Sequence, residues 1–245
     1  MNKRKLLYGL LSLTLVGSFW LVSEASPART GDPLIDGYSL VEVASVADAV
    51  EQVLSRRAHM SVDIQPLFPT KFAGPAVTVL LKKEEHSDGA KDFQGVLDAI
   101  DAAPAGAVFV LVLEGGGDTA GIGGLMGTAM KVRGLAGAVI DGGARDTPQL
   151  RRIQFPVYSR GAVPSTALNH YRFAGSNVKV ICAGVEVNPN DIIVADEDGV
   201  AVVPRAEADK VLKKAQELDQ TEHQMYPFIE KFKSIKKAVE EFGRI

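Results

Sequence analysis

Arg145 and Asp146 stand side by side at the end of a glycine-rich stretch, GIGGLMGTAMKVRGLAGAVIDGGARD, that occupies Gly121 to Asp146. A guanidinium can hold a carboxylate through two parallel hydrogen bonds, and an aspartate can ligate a hard divalent cation through oxygen. The pair therefore suits a small anionic substrate and a metal. Gly142 and Gly143 open backbone conformations closed to other residues just before it. Upstream, Gly115 to Gly117 and the run Gly121 to Gly124 follow a strongly apolar segment and precede a helical one. The backbone N–H groups of Gly123, Gly124, Leu125 and Met126 are thus expected to point out of a helix N-terminus, a ready anion site. A nucleotide would call for GxGxxG in register or GxxxxGK[ST]; neither occurs, and Lys131 lies too far into the helix. A carboxylate or keto acid fits better. As a bare motif, Arg-Asp is equally a turn in which Asp146 caps the TPQLRRI helix and Arg145 joins a surface ion pair.

Other chemistry-bearing residues are sparse. The acidic run Asp196, Glu197, Asp198 reads on its own as an exposed hairpin turn before Gly199. His59, His86, His170 and His223 are dispersed without HExxH spacing, and no GxSxG elbow occurs. Cys182, the one cysteine, sits in the apolar segment VKVICAGVEV as buried filler, so no intrachain disulfide can form. With 245 residues and a formal net charge of -3, the chain carries no basic footprint for nucleic acid.

The elements that must position the pair alternate in type. SVADAVEQVLSRR puts Val46, Ala49, Val50 and Val53 on one helical face, with Ser45 as the N-cap. Gly74-Pro75 introduces the strand AVTVLL. A solvated turn from Lys82 to Lys91, the helix FQGVLDAIDAA and the strand AVFVLVL follow, then the glycine-rich loop, a helix through about Arg133 and the strand LAGAVID. This alternation implies βαβ units and a largely parallel sheet. FPVYSRG, NVKVICAGVEV and two short strands around Asp198-Gly199 form a later, antiparallel β-region. From Arg205 the chain is helix-forming to its end. The expected organisation is a linker over 26–36, one α/β domain over 37–204 and a helical extension over 205–245.

Residues 1–25 read as a signal peptide. Lys3, Arg4 and Lys5 precede the apolar run Leu6 to Val22, and Ser23 and Ala25 fit cleavage after Ala25. Export to the periplasm or beyond follows from that reading. The apolar run also reaches the lower edge of lengths that span a bilayer, so an uncleaved anchor facing outside is the alternative.

Three segments together, AGPAVTV at 73–79, GGLMGTAMKVRGLAGAVIDGGARD at 123–146 and PNDIIVADEDGVAVVP at 189–204, resemble the RraA-like family, which includes 4-hydroxy-4-methyl-2-oxoglutarate aldolases. The resemblance implies a three-layer swivelling β/β/α domain assembled into trimers or hexamers. It implies that Arg145 holds the substrate carboxylate or keto oxygen, that Asp146 ligates Mg or Mn, and that Gly123 to Met126 bind the pyruvyl carboxylate. It also implies that an acid from Asp196, Glu197 or Asp198 enters a neighbouring subunit's site. The aldolase pattern places an aspartate twenty-one positions before the arginine, where this chain has Gly124. The implied activity is metal-dependent carbon-carbon cleavage of a 2-oxo acid, by retro-aldol reaction or decarboxylation, without a Schiff-base lysine. Because the family also contains members that bind and inhibit a ribonuclease, a non-catalytic binding protein is the alternative.

Overall fold

The computed structural model of the protein describes residues 31–244. The expected signal segment lies outside the described residues. Helices α1 (Pro33–Tyr38) and α2 (Val43–Leu54) come first, then strands β1 (Gln65–Pro66) and β2 (Phe72–Lys83), helix α3 (Gln94–Ala102), strands β3 (Val108–Leu113) and β4 (Ala120–Ile122), and helix α4 (Gly124–Val132). Strands β5 (Gly137–Asp141) and β6 (Gly143–Ala144) lead to α5 (Thr147–Arg152) and β7 (Val157–Ser159). Strands β8 (Tyr171–Ser176), β9 (Val180–Cys182), β10 (Val185–Val187), β11 (Ile192–Asp196) and β12 (Gly199–Val203) precede helices α6 (Ala208–Phe232) and α7 (Ile235–Phe242). Among the described residues, no helix is long and apolar enough to cross a membrane.

The centre of the main sheet is β3, whose six side chains are all buried, as a strand covered on both faces requires. It runs parallel to β2 on one edge and to β5 on the other, and β7 extends the parallel set beyond β5. On its far edge β2 takes two antiparallel partners in turn, β11 along residues 72–75 and β8 along 79–83. Its length is what lets one strand join both halves. With β12 paired to β11, the sheet curls around its own core.

Alternation of side chains across the strands sorts the interior into layers. Val79, Leu81, Phe109, Leu111 and Ile140 face α3, α4 and α5 on one side. Val108, Val110, Val112 and Val139 face the other, under the β9–β10 hairpin. A third cluster joins β11 and β12 to α1, α2 and α6. Helices, sheet and hairpin make three layers in the expected mixed α/β arrangement, with the long C-terminal helix that the sequence pattern implies.

Several local expectations are corrected. The end of the 26–36 linker is helical: α1 begins at Pro33, Asp32 Oδ1 accepts from Leu34 N at 2.9 Å, and Tyr38 is buried with its hydroxyl donating to Ala208 O at 2.7 Å. Ser45 is not the cap of α2, which starts earlier and buries Ser45 in its first turn, while Asp196 Oδ2 accepts from Val43 N at 2.9 Å. The strand in FPVYSRG is parallel rather than antiparallel to its sheet neighbour β5. VKVICAGVEV is a hairpin, because Ala183 and Gly184 both adopt positive φ and reverse the chain.

Candidate active site

Arg145 and Asp146 owe their position to a small sheet that leaves no signature in the sequence pattern. Strands β4 and β6 pair in parallel, Ala120 opposite Gly143 and Ile122 opposite Ala144. Gly143 N donates to Thr119 O at 2.7 Å, and Arg145 N donates to Ile122 O at 2.9 Å. This pairing sets the start of α4 beside the Arg-Asp turn, although more than twenty residues separate them in sequence. Gly123 permits that approach, and Gly143 a separate close contact with Val163. A Cβ at Gly123 would lie 2.9 Å from Asp146 Oδ2 and 3.2 Å from Arg145 Cγ, and one at Gly143 would lie 2.2 Å from Val163 Cγ2.

Asp146 occupies the N-cap position of α5, but its side chain does not cap that helix. Its backbone is left-handed, φ 53° and ψ 34°, a region aspartate tolerates better than most residues. That conformation turns the carboxylate back toward α4, where Oδ2 accepts from Gly124 N at 2.9 Å. One N–H of the expected substrate cradle is therefore spent holding Asp146. The first-turn N–H groups of Leu125 and Met126 have no carbonyl four residues back within α4, so helix geometry aims them outward. Arg145 Nε lies 3.9 Å from Asp146 Oδ2, and both side chains are about half exposed, 45% and 54%. The pair is loosely engaged with itself. It borders a cleft of about 240 Å³ that also draws on Gly123, Leu125 and Met126. A second hollow, bordered by Thr147, Pro148 and Val163, opens beside the same two residues.

Gly124 departs from the aldolase pattern, and its surroundings show what fills the space. A Cβ there would lie 3.0 Å from Gln149 Cγ and 3.2 Å from Asp146 Cβ. Gln149 Nε2 donates to Thr128 Oγ1 at 3.4 Å, Thr128 Oγ1 donates to Gly124 O at 2.6 Å, and Arg152 donates to Gln149 Oε1. Gln149 and Thr128 were missed by sequence reasoning because neither type at that spacing signals chemistry. Phe93, at the N-cap of α3, and Leu97 within it also line the cleft, and apolar residues at helical spacing carry no signal for a site.

Asp196, Glu197 and Asp198 do not line the clefts bordered by Arg145 and Asp146 in this chain. Asp196 is occupied structurally: Oδ2 holds the start of α2, Oδ1 accepts from Asp198 N at 3.0 Å, and its carbonyl accepts from the Tyr158 hydroxyl at 2.6 Å. Burial, and next the Asp196 charge, push the Tyr158 phenol well above its usual range. Glu197 and Asp198 remain exposed at the β11–β12 turn. Glu114 and Asp118 are exposed and do not line the Arg145 cleft either.

No three His, Cys, Asp or Glu side chains converge on a metal-sized site among the described residues. The donor set at the cleft is the single Asp146 carboxylate. That suits Mg or Mn, which keep several waters and take one or two carboxylates plus substrate oxygens, and it does not suit an all-protein cage.

A family model described as RraA-like, Aldolase/RraA, matches residues 43–202, which includes every element that shapes the cleft. The chain belongs to the RraA-like family. A protein of Halalkalibacterium halodurans, provisionally named 4-hydroxy-4-methyl-2-oxoglutarate aldolase, is 30% identical over 182 residues, 74% of this chain and 81% of its own. A 4-hydroxy-4-methyl-2-oxoglutarate aldolase of Thermus thermophilus is 35% identical over 101 residues, 40% of this chain and 61% of its own. Among solved structures, Streptomyces coelicolor RraAS2, described as an unusual member of the RNase ES inhibitor RraA protein family, superposes with a TM-score of 0.71 at 25% identity, covering 80% of this chain and 96% of its own. An uncharacterized protein from Pseudomonas syringae pv. tomato gives a TM-score of 0.74 at 27% identity, with coverage of 84% and 96%. The RraA-like family thus joins relatives named as aldolases with relatives named as inhibitors.

Proposed function

We propose that this RraA-like protein is a divalent-metal-dependent lyase that cleaves a carbon-carbon bond of a short 2-oxo acid and releases pyruvate. The observation that carries the reading is the Asp146 carboxylate, turned by a left-handed backbone onto the start of α4 and set beside the loosely paired Arg145. The Asp146 carboxylate would hold Mg or Mn, which supplies an electrophile for the 2-keto oxygen. Arg145 binds the substrate through its carboxylate or keto oxygen and offsets the negative charge that grows as the enolate forms. Outward N–H groups at Leu125 and Met126 orient the pyruvyl carboxylate. Gly124 N–H fixes the carboxylate of Asp146 in advance, so little reorganisation accompanies reaction. In the retro-aldol case the hydroxyl at C4 loses its proton, the C3–C4 bond breaks with its electron pair left on C3, and C3 takes a proton to give pyruvate. In the decarboxylation case the same bond breaks with loss of carbon dioxide.

Purified protein with Mg or Mn is expected to release pyruvate from oxaloacetate or 4-hydroxy-4-methyl-2-oxoglutarate, and chelator is expected to stop it. Turnover indifferent to chelator and to Asp146→Ala would end the proposal. A non-catalytic binding role is the second reading, and Gly124 favours it, since the aldolase aspartate is missing and Gln149 fills the space beside it. Absence of metal and oxo-acid binding by calorimetry, together with capture of a defined protein partner, would establish that role. Assembly into trimers or hexamers, with the acidic run reaching a neighbour's site, belongs to the same proposal, as does export directed by residues 1–25. A monomeric variant that keeps full turnover would remove the intersubunit element.

A further inference from the structure

The join between α6 and α7 carries a charge pattern unlike that of the chain as a whole. Residues 231–237, KFKSIKK, hold four lysines and no acid in a protein whose formal net charge is -3. All four lysines are exposed, and among them Phe232 and Ile235 are 43% and 59% exposed. We propose that this tip is a membrane-surface contact, in which the lysines meet the headgroups of an anionic bilayer while Phe232 and Ile235 enter the headgroup layer. Both helices lie beyond the family match, which ends at residue 202, so the elements shared across the family do not account for the tip.

The tip is organised by its own contacts. Lys233 ends α6 with a left-handed backbone, φ 47°, where glycine or asparagine is the usual choice, and its N–H donates to Ile229 O at 2.7 Å. Ser234 Oγ then accepts from Lys237 N at 3.2 Å and starts α7. Beside the turn, Phe228 packs against Phe232 and Phe242 with ring centroids 4.5 and 5.4 Å apart. The Nζ atoms of Lys231 and Lys237 lie 5.1 and 5.9 Å from the Phe232 centroid, so charge and ring are presented together. Lys236 also reaches Glu240 at 3.8 Å, an exposed pair too weak to neutralise the cluster.

Basic and large apolar residues gathered on one exposed turn match the boundary between water and lipid, where ammonium groups stay with the phosphates and apolar side chains reach past them. A polyanion in water would use the lysines and leave Phe232 and Ile235 idle. The other end of the chain supplies a second argument. The apolar run Leu6 to Val22 precedes α1, and α1 docks on the start of α6 through the Tyr38 hydroxyl. Fully extended, the chain from Val22 to Pro33 reaches roughly 40 Å, and α6, with 25 residues, is about 37 Å long. An apolar run kept in a bilayer and a tip at the far end of α6 can therefore meet one surface. One apolar segment plus one basic patch is also the pairing that makes membrane attachment stable. None of the tip residues lines the clefts beside Arg145, so the contact does not involve them.

The chain beginning at Ser26, which keeps every residue of the three apolar clusters, is sedimented with vesicles of phosphatidylcholine alone or mixed with phosphatidylglycerol. Partitioning is expected to be at least tenfold stronger onto the anionic vesicles at low salt, since each lysine near such a surface contributes about fivefold, and to fall steeply as salt rises. Lys231→Gln, Lys233→Gln, Lys236→Gln and Lys237→Gln combined are expected to cost about 100-fold, with thermal unfolding unchanged. Ile235→Ser is expected to cost severalfold with the salt dependence kept. An environment-sensitive dye on Ile235→Cys is expected to shift its emission to the blue with anionic vesicles only, while buried Cys182 stays unlabelled. Equal partitioning onto both vesicles, binding indifferent to the four-lysine variant, or a dye that stays in water would overturn the proposal. A change of assembly size in that variant with no change on vesicles would overturn it in favour of a subunit contact. Binding of heparin without binding of vesicles would overturn it in favour of a soluble polyanion.

Discussion

Two arginine-aspartate pairs stand at strand ends of this molecule, and they are held in opposite ways. Arg160, just past β7, places Nε 2.6 Å from Oδ1 of Asp141 at the end of β5, and its Nη1 reaches Asp63 at 3.1 Å. The other oxygen of Asp141 accepts from Ala183 N at 2.6 Å and so pins the β9–β10 hairpin to the sheet. Although burial opposes its charge, the hydrogen bond to Asp141 and the nearby carboxylates hold the Arg160 guanidinium above its ordinary range. Arg145 and Asp146, in contrast, are neighbours in sequence, 3.9 Å apart and half exposed. A charge pair whose hydrogen-bonding capacity is consumed internally stabilises a fold. A pair held close but unconsumed keeps hydrogen-bonding capacity for a ligand.

The contrast can be broken most sharply at Asp146. Asp146→Asn keeps a side chain tolerant of the left-handed backbone and an oxygen for Gly124 N–H, and is expected to cut pyruvate release at least 100-fold, about 2.7 kcal/mol, with unfolding unchanged. Loss of stability without loss of turnover would reverse the roles assigned to the two pairs. Next in size, Asp141→Asn removes the charge from the tighter pair, and urea unfolding is expected to lose about 2 kcal/mol, below the full cost of breaking a buried pair because Arg160 is partly exposed. Arg145→Lys replaces a planar fork with a point charge, and the KM for a 2-oxo acid is expected to rise about tenfold, about 1.4 kcal/mol, with stability unaffected. Gly124→Asp pushes against Gln149 and is expected to cost about 1 kcal/mol; adding Gln149→Ala should return most of that and tighten Mg binding. The smallest effect is at Cys182 beside the Asp141 pair. Burial, and next the Asp141 charge, raise its thiol well above the usual range, so at pH 8 iodoacetamide should label it only after unfolding. Labelling of the native protein at the unfolded rate would show that the hairpin is not pinned.

The parts of this fold that sequence makes legible are those with long periodic signals. AVFVLVL reads as a central strand because it is an unbroken apolar run, and the structure buries every one of its side chains, while α2 and α3 show their apolar faces at helical spacing. The site pair was legible for a different reason: Arg145-Asp146 follows two glycines, and with its flanking segments it carries the family resemblance. What stayed hidden depends on pairing between distant short segments. The paired stretches of β4 and β6 are too brief for alternation to register, yet they bring Gly124 to Asp146. Ala183-Gly184 reverses the chain inside an apolar run that reads as one strand, since alanine is no turn signal. Asp146 looks like an N-cap from sequence because aspartate so often is one, and only its positive φ diverts the carboxylate. The walls of the cleft were equally silent, because Phe93 and Leu97 look like any amphipathic helix face until their neighbours are placed.

The docking of α1 against α6 has a practical side. The Tyr38 hydroxyl ties the first described helix to the start of the long C-terminal one, and α1, α2 and α6 contribute nothing to the Arg145 cleft. Both ends of the described domain are thus gathered into one helical layer while the Arg145 cleft belongs to another, so a tag, tether or surface linkage at either end gives the molecule a handle away from that cleft.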